Sequence, residues 1–113
     1  MYINRLKVRT LSDWLAWIET LHPRSVELGL ERVHAVLDNM GLRHPPYAAI
    51  AITGTNGKGS TTAMCEAILR RAGYKVGSYT SPHLVVYNER VRMNGRNATD
   101  AELCGAFERI EAA

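Results

Sequence analysis

Tyr47-Ala48-Ala49-Ile50-Ala51-Ile52-Thr53-Gly54-Thr55-Asn56-Gly57-Lys58-Gly59-Ser60 joins a short apolar run to a glycine-rich turn and then to a stretch of helical character. An apolar run of this length suits a strand covered on both faces of a parallel sheet, so Tyr47 to Thr53 is expected to be the first sheet strand and Ser60 to begin a helix. Strand, glycine turn and helix in that order are the layout of a phosphate-binding loop. The glycines let backbone N–H groups turn inward, the helix N-terminus adds partial positive charge, and one lysine supplies a full charge. A glycine-rich turn can also be a plain tight connection. The lysine set where the helix starts is what favours an anion.

The loop differs from the Walker form, which has four residues between the first glycine and the Gly-Lys pair and a Ser or Thr directly after the lysine. Here only Thr55 and Asn56 intervene, and Gly59 separates Lys58 from Ser60. The glycines at 54, 57 and 59 read GxxGxG, the reverse of the dinucleotide fingerprint. No acid stands about 20 residues further on, where a ribose-binding carboxylate is expected, because the first after Glu66 is Glu89. NAD binding is therefore set aside.

Working outward, the helix after the loop is expected to bury Met64, Ala67, Ile68 and, at its margin, Cys65. It should show Glu66, Arg70 and Arg71 to solvent and end before Gly73. Lys75 to Thr80 reads as the next strand. Strand, helix and strand make a βαβ unit, which puts a ligand at the carboxyl ends of the strands, where Thr80-Ser81-Pro82-His83 also lies. Arg90 to Met93 reads as a further short strand running into Asn94-Gly95, a dipeptide that favours a hairpin. Thr99 and Glu102 form a capping box that opens a last helix with Leu103, Phe107 and Ile110 on one face.

Upstream, Trp14, Leu15, Trp17, Ile18 and Leu21 fall at helical spacing behind Ser12 as N-cap, with His22-Pro23 as the stop. The two tryptophans read as packing rather than as a ligand platform. A second helix is expected from Leu30 to Met40 with Gly41 as its C′ residue, and His44-Pro45-Pro46 breaks the chain after it. The fold class is thus α/β, with two helices ahead of a mostly parallel sheet that contains a phosphate loop. Two or three strands do not cover helices on both faces, so residues 1–113 are expected to be the N-terminal part of a larger α/β protein.

The chain has 113 residues, 46% hydrophobic and 22% charged, with no apolar run near the ~20 residues that cross a bilayer. No apolar segment follows the basic first ten residues, so a secretory leader is not expected, and a cytoplasmic setting is. Cys65 and Cys104 lack the spacing of a zinc site or a disulfide framework and read as small core residues. The net charge of +3 and pI near 9.1 raise the question of nucleic acid. The fourteen basic residues are scattered among eleven acids rather than gathered in a stripe, so a non-catalytic nucleic-acid or nucleotide-binding module is the weaker alternative.

Three stretches carry a resemblance: LGLERV from Leu28 to Val33, TGTNGKGS from Thr53 to Ser60, and AGYKVGSYTSPHLVVYNERVRMNG from Ala72 to Gly95. In these the sequence resembles the N-terminus of the dihydrofolate synthase and folylpolyglutamate synthase family, within the Mur ligase superfamily. The loop text alone indicates the superfamily; the TSPHL and NERV text narrows it to folate ligases. Another Mur-type amide ligase, of peptidoglycan or cyanophycin, stands as the alternative, although those usually carry Thr directly after the loop lysine.

The resemblance implies ATP-dependent amide formation: a carboxylate of dihydropteroate or a folylpolyglutamate takes the γ-phosphoryl group of ATP, and the amine of L-glutamate attacks the acyl phosphate. It implies ATP and Mg2+, small-molecule substrates, no nucleic acid, no membrane and a monomer at full length. By the same resemblance Thr55, Asn56, Gly57, Lys58, Gly59 and Ser60 hold ATP, with Lys58 stabilising charge at the transferred group. Ser60 is otherwise an N-cap. Ser81 corresponds to a magnesium ligand, its plainer reading being a turn before Pro82. Val26, Glu27, Leu28 and Thr80 correspond to pteroate contacts; without the resemblance Val26 and Leu28 read as core and Glu27 as a solvated acid. His83 is a second-tier candidate, and Glu89 with Arg90 reads as a surface ion pair. The family's other magnesium ligands and modified lysine would lie beyond Ala113, so the 113-residue chain alone is not expected to complete the reaction.

Overall fold

The structure is a computed structural model that describes residues 9–21 and 29–113. It forms two compact units, one of Met1–Tyr47 with Asp100–Ala113 and one of Ala48–Thr99.

The first unit is helical. Helix α1 is Leu11–Thr20, α2 is Glu31–Met40 and α4 is Asp100–Ala112, with α1 and α2 both packed on α4. The cap of α1 is Thr10 rather than Ser12. Thr10 Oγ1 accepts from the Asp13 N–H at 3.2 Å and Asp13 Oδ2 accepts from the Thr10 N–H at 3.0 Å, a reciprocal pair that Ser12 is too far along the turn to make. Helix α2 ends as expected at Gly41, in the left-handed region at φ 69°. The core is aromatic. Trp14 is 1% exposed and stacks on Phe107 at 5.7 Å, and Trp17 meets it edge to face at 5.8 Å. The Arg9 guanidinium lies 4.5 Å over the Trp14 ring and pairs with Glu111 at 3.0 Å, closing α1 onto α4. Leu103 is buried, whereas Ile110, expected on the same face, is exposed.

The second unit holds α3, Lys58–Arg71, and a three-stranded antiparallel sheet in the order β1-β2-β3. Its strands are β1 Gly77–Tyr79, β2 Val91–Met93 and β3 Arg96–Asn97. Pairing runs Gly77 with Met93 and Tyr79 with Val91, then Arg92 with Asn97. The hairpin at Asn94-Gly95 is as expected, with φ of 51° and 85° at its two central residues. Asn94 also fastens the next strand over, since its Oδ1 accepts from the Val76 N–H at 2.9 Å and its own N–H donates to Val76 O at 2.8 Å.

Two expectations for this unit are corrected. Residues 48–54 carry no strand, so the anticipated βαβ unit is not formed: β1 instead pairs with β2, close in sequence, in an antiparallel ladder. Helix α3 also buries a different side chain from those expected, although Arg70 and Arg71 are exposed as anticipated. Met64 and Ile68 are 65% and 63% exposed, and Glu66 is buried at 7%. Glu66 turns inward because Arg92 and Ser78 on the sheet offer its carboxylate the hydrogen bonds that a buried charge needs.

Candidate functional site

The glycine loop leads from extended backbone through Gly54 at φ 145° and a bend to Gly57 at φ 73°, the residue that caps α3. Both angles favour glycine. The helix therefore begins at Lys58, and Ser60, expected to start it or cap it, is its third residue. No side chain caps this end. The first helical N–H with a partner is that of Thr61, which donates to Gly57 O at 2.9 Å, so the N–H groups of Lys58, Gly59 and Ser60 are left outside the ladder. A Cβ built on Gly57 or Gly59 meets no atom within 4 Å. That space is open, Thr55 to Ser60 are all exposed, and no carboxylate among the described residues pairs with Lys58. Open space, unused N–H donors and an unpaired ammonium are what an anion of phosphate type requires.

The second candidate element follows β1. The Thr80 N–H donates to Arg90 O at 2.9 Å, and Ser81 is exposed just beyond, its peptide to Pro82 being cis. The turn after it is organised by Glu89, whose carboxylate accepts from the backbone N–H groups of Leu84, Val85 and Val86 at 2.9, 2.8 and 2.7 Å. Arg90 Nε donates to His83 Nδ1 at 2.7 Å, and its guanidinium lies 5.3 Å from the centre of the Tyr87 ring. Glu89 and Arg90 thus shape the loop instead of pairing with each other. A backbone with unused donors offers a carboxylate more than a neighbouring arginine on the surface does.

Both elements sit in the second unit and are tied together there through Glu66, which accepts from Ser78 Oγ at 2.9 Å and from Arg92 Nε and Nη2 at 3.2 Å each. Helical periodicity places Glu66 outside, so the reading of the sequence missed this carboxylate. The faint signal was the alternation of Arg90 and Arg92 along the expected strand Arg90 to Met93. Val26, Glu27 and Leu28 lie outside the described residues. Among the described residues there is no group of three His, Cys, Asp or Glu side chains able to hold a metal. Ser81 offers a single hydroxyl, which does not by itself bind a hard cation that prefers carboxylates and keeps its waters. Cys65 and Cys104 are free, and burial, followed by the charges of Asp100, Glu108 and Asp13, pushes the Cys104 thiol up.

Two carboxylates are held below the usual range. For Glu66 the cause is first the hydrogen bond from Arg92, opposed by burial, then Ser78 and the charges of Arg92 and Arg70. For Glu89 it is the backbone N–H groups of Val86, Leu84 and Val85. A carboxylate whose folded pKa lies below its ordinary 4.5 stabilises the fold fully above that value and loses the contribution as pH falls through the folded pKa. Unfolding by urea is accordingly expected to become easier below about pH 4.5. Glu66→Gln should remove part of that slope; an unchanged slope would count against the pairing.

No family model matches the chain. The dihydrofolate synthase/folylpolyglutamate synthase of Escherichia coli is 46% identical over 103 residues, which are 91% of this chain and 24% of that protein. A crystal structure of the bifunctional folylpolyglutamate synthase/dihydrofolate synthase from Yersinia pestis, complexed with AMPPNP and Mn ion, superposes with a TM-score of 0.85 at 46% identity, covering 92% of this chain and 25% of that one. The E. coli protein FolC in complex with DHPP and ADP gives 0.84 at 44% identity, over 92% and 25%. This chain spans about a quarter of the length of the relatives it matches.

Proposed function

We infer that the chain belongs to the dihydrofolate synthase/folylpolyglutamate synthase family, as a segment a quarter of its members' length, and that it contributes the nucleotide-phosphate end of an ATP-dependent ligase. The observation that carries this is the uncapped start of α3, with open space over Gly57 and Gly59 and an unpaired Lys58. The ligase adds L-glutamate to dihydropteroate or to a folylpolyglutamate. Thr55, Asn56, Gly57, Gly59 and Ser60 cradle ATP phosphates, and Lys58 offsets charge on the transferred group. Such chemistry is largely positioning and charge neutralisation.

A divalent cation, when bound with the nucleotide, neutralises phosphate charge. Ser81 would contribute one oxygen to it, with its carboxylate ligands coming from outside the described residues. Thr80 is a pteroate contact, a role also assigned to Val26, Glu27 and Leu28, which lie outside the described residues. Residues 1–113 form part of the ATP-binding domain, the substrates are small molecules rather than nucleic acid, and the whole enzyme is a cytoplasmic monomer. No helix among the described residues is long and apolar enough to cross a membrane.

The test is a chimera in which this chain replaces the matching quarter of the E. coli relative. ATP-dependent addition of glutamate to dihydropteroate is expected. A chimera that folds and turns over a muramyl substrate instead would reassign the chain to another amide ligase. One that binds DNA or RNA at moderate salt with no ATP effect would favour a nucleic-acid module.

A further inference from the structure

Glu66 is the buried charged side chain among the described residues, and it sits about two turns along α3 from Lys58. One oxygen accepts from Ser78 Oγ on β1 at 2.9 Å; Arg92 Nε reaches that oxygen at 3.2 Å and Nη2 reaches the other at 3.2 Å, a two-pronged contact. Arg92 is itself held, since Nη2 donates to Gly95 O at 2.6 Å and Nη1 to Asn97 Oδ1 at 3.2 Å. The helix opened by the glycine loop is thereby fixed to the strand that ends just before Thr80 and Ser81. Stability alone does not call for this device, because a well-packed apolar pair serves as well or better than a buried ion pair. What a two-pronged charged contact adds is a set distance and direction.

We propose that Glu66, held by Arg92 and Ser78, is a positioning residue that sets the register of Lys58 to Ser60 against Thr80-Ser81. Its consequence for catalysis rests on the function proposed above, where a misplacement of about 1 Å costs up to ~100-fold. The register itself does not rest on that function.

The register is read without ligand or turnover. In the 113-residue chain with Cys65→Ser and Cys104→Ser, a nitroxide on Ser81→Cys broadens the amide signals of Gly57 to Thr62 according to distance. A graded profile along that turn is expected in the parent, its loss in Glu66→Gln, and its return when the charges are exchanged as Glu66→Arg with Arg92→Glu. Melting temperatures are taken on the same samples. A Glu66→Gln variant that melts lower yet keeps the graded profile would overturn the proposal, leaving the pair a stabilising contact only.

In the chimera, Glu66→Gln is expected to raise KM for ATP about tenfold while KM for glutamate stays the same. Equal changes in both, in an active chimera, would also overturn the role. An inactive parent chimera would count against the proposed function, and the nitroxide profile would still decide the clamp.

Discussion

Lys58→Met in the chimera is expected to lower ATP-dependent glutamate addition by about a hundredfold to a thousandfold, the usual loss when one preorganised group facing developing charge is removed. The side chain stands at the first position of α3, beside N–H groups that make no ladder bonds, and no carboxylate among the described residues neutralises it. Its charge is therefore available to a phosphate rather than committed to the fold. Stability should move by no more than ~0.5 kcal/mol, as for other surface changes without partners. Lys58→Arg should not restore full activity, because a planar fork does not replace a compact ammonium at the end of a flexible stem. The measurement pairs steady-state rates with melting curves. Undiminished turnover in a folded Lys58→Met chimera would remove the phosphate loop from the proposed mechanism.

Trp14→Ala is the substitution expected to cost the fold most, about 3–5 kcal/mol, the range for deleting a large buried aromatic side chain. Trp14 is 1% exposed and carries the stack with Phe107 that joins α1 to α4, besides the edge contact with Trp17 and the cation-π contact with Arg9 on its own side of that joint. Among the described residues its indole Nε1 has no hydrogen-bond partner, which is a cost already present in the native state. Trp14→Phe is accordingly expected to lose less than its change in volume suggests, since phenylalanine brings no such donor. Urea unfolding followed by helical circular dichroism and by the remaining Trp17 reads both variants. Because the chain divides into two units, their transitions are fitted separately. A loss under about 1 kcal/mol for Trp14→Ala would mean that the aromatic cluster is not the core.

Much of the architecture was legible because it rests on local rules. Gly41 and Asn94-Gly95 adopt positive φ where turn chemistry asks for it, α2 and α4 lie where apolar spacing puts them, and the glycine loop opens a helix. Capping was legible to within a residue or two: Thr10 took the place of Ser12 because the reciprocal bond with Asp13 fits only one register. Within the candidate site, the uncapped helix start at the glycine loop was legible for the same reason, since backbone donors there depend on sequence order alone. Glu89 was misread because the backbone N–H groups it serves are neighbours only once the turn has closed.

The sequence by itself determined the helices, the hairpin and the glycine loop, since each follows from φ preferences and side-chain spacing over a few residues. Only the tertiary structure decided which way α3 faces and which strands pair. Met64 and Ile68 against Glu66 is a choice between apolar burial and one charged hydrogen-bonded pair, and its outcome depends on Arg92 and Ser78, which reach Glu66 from strands 26 and 12 residues away. A periodicity read along one helix does not contain that distant partner.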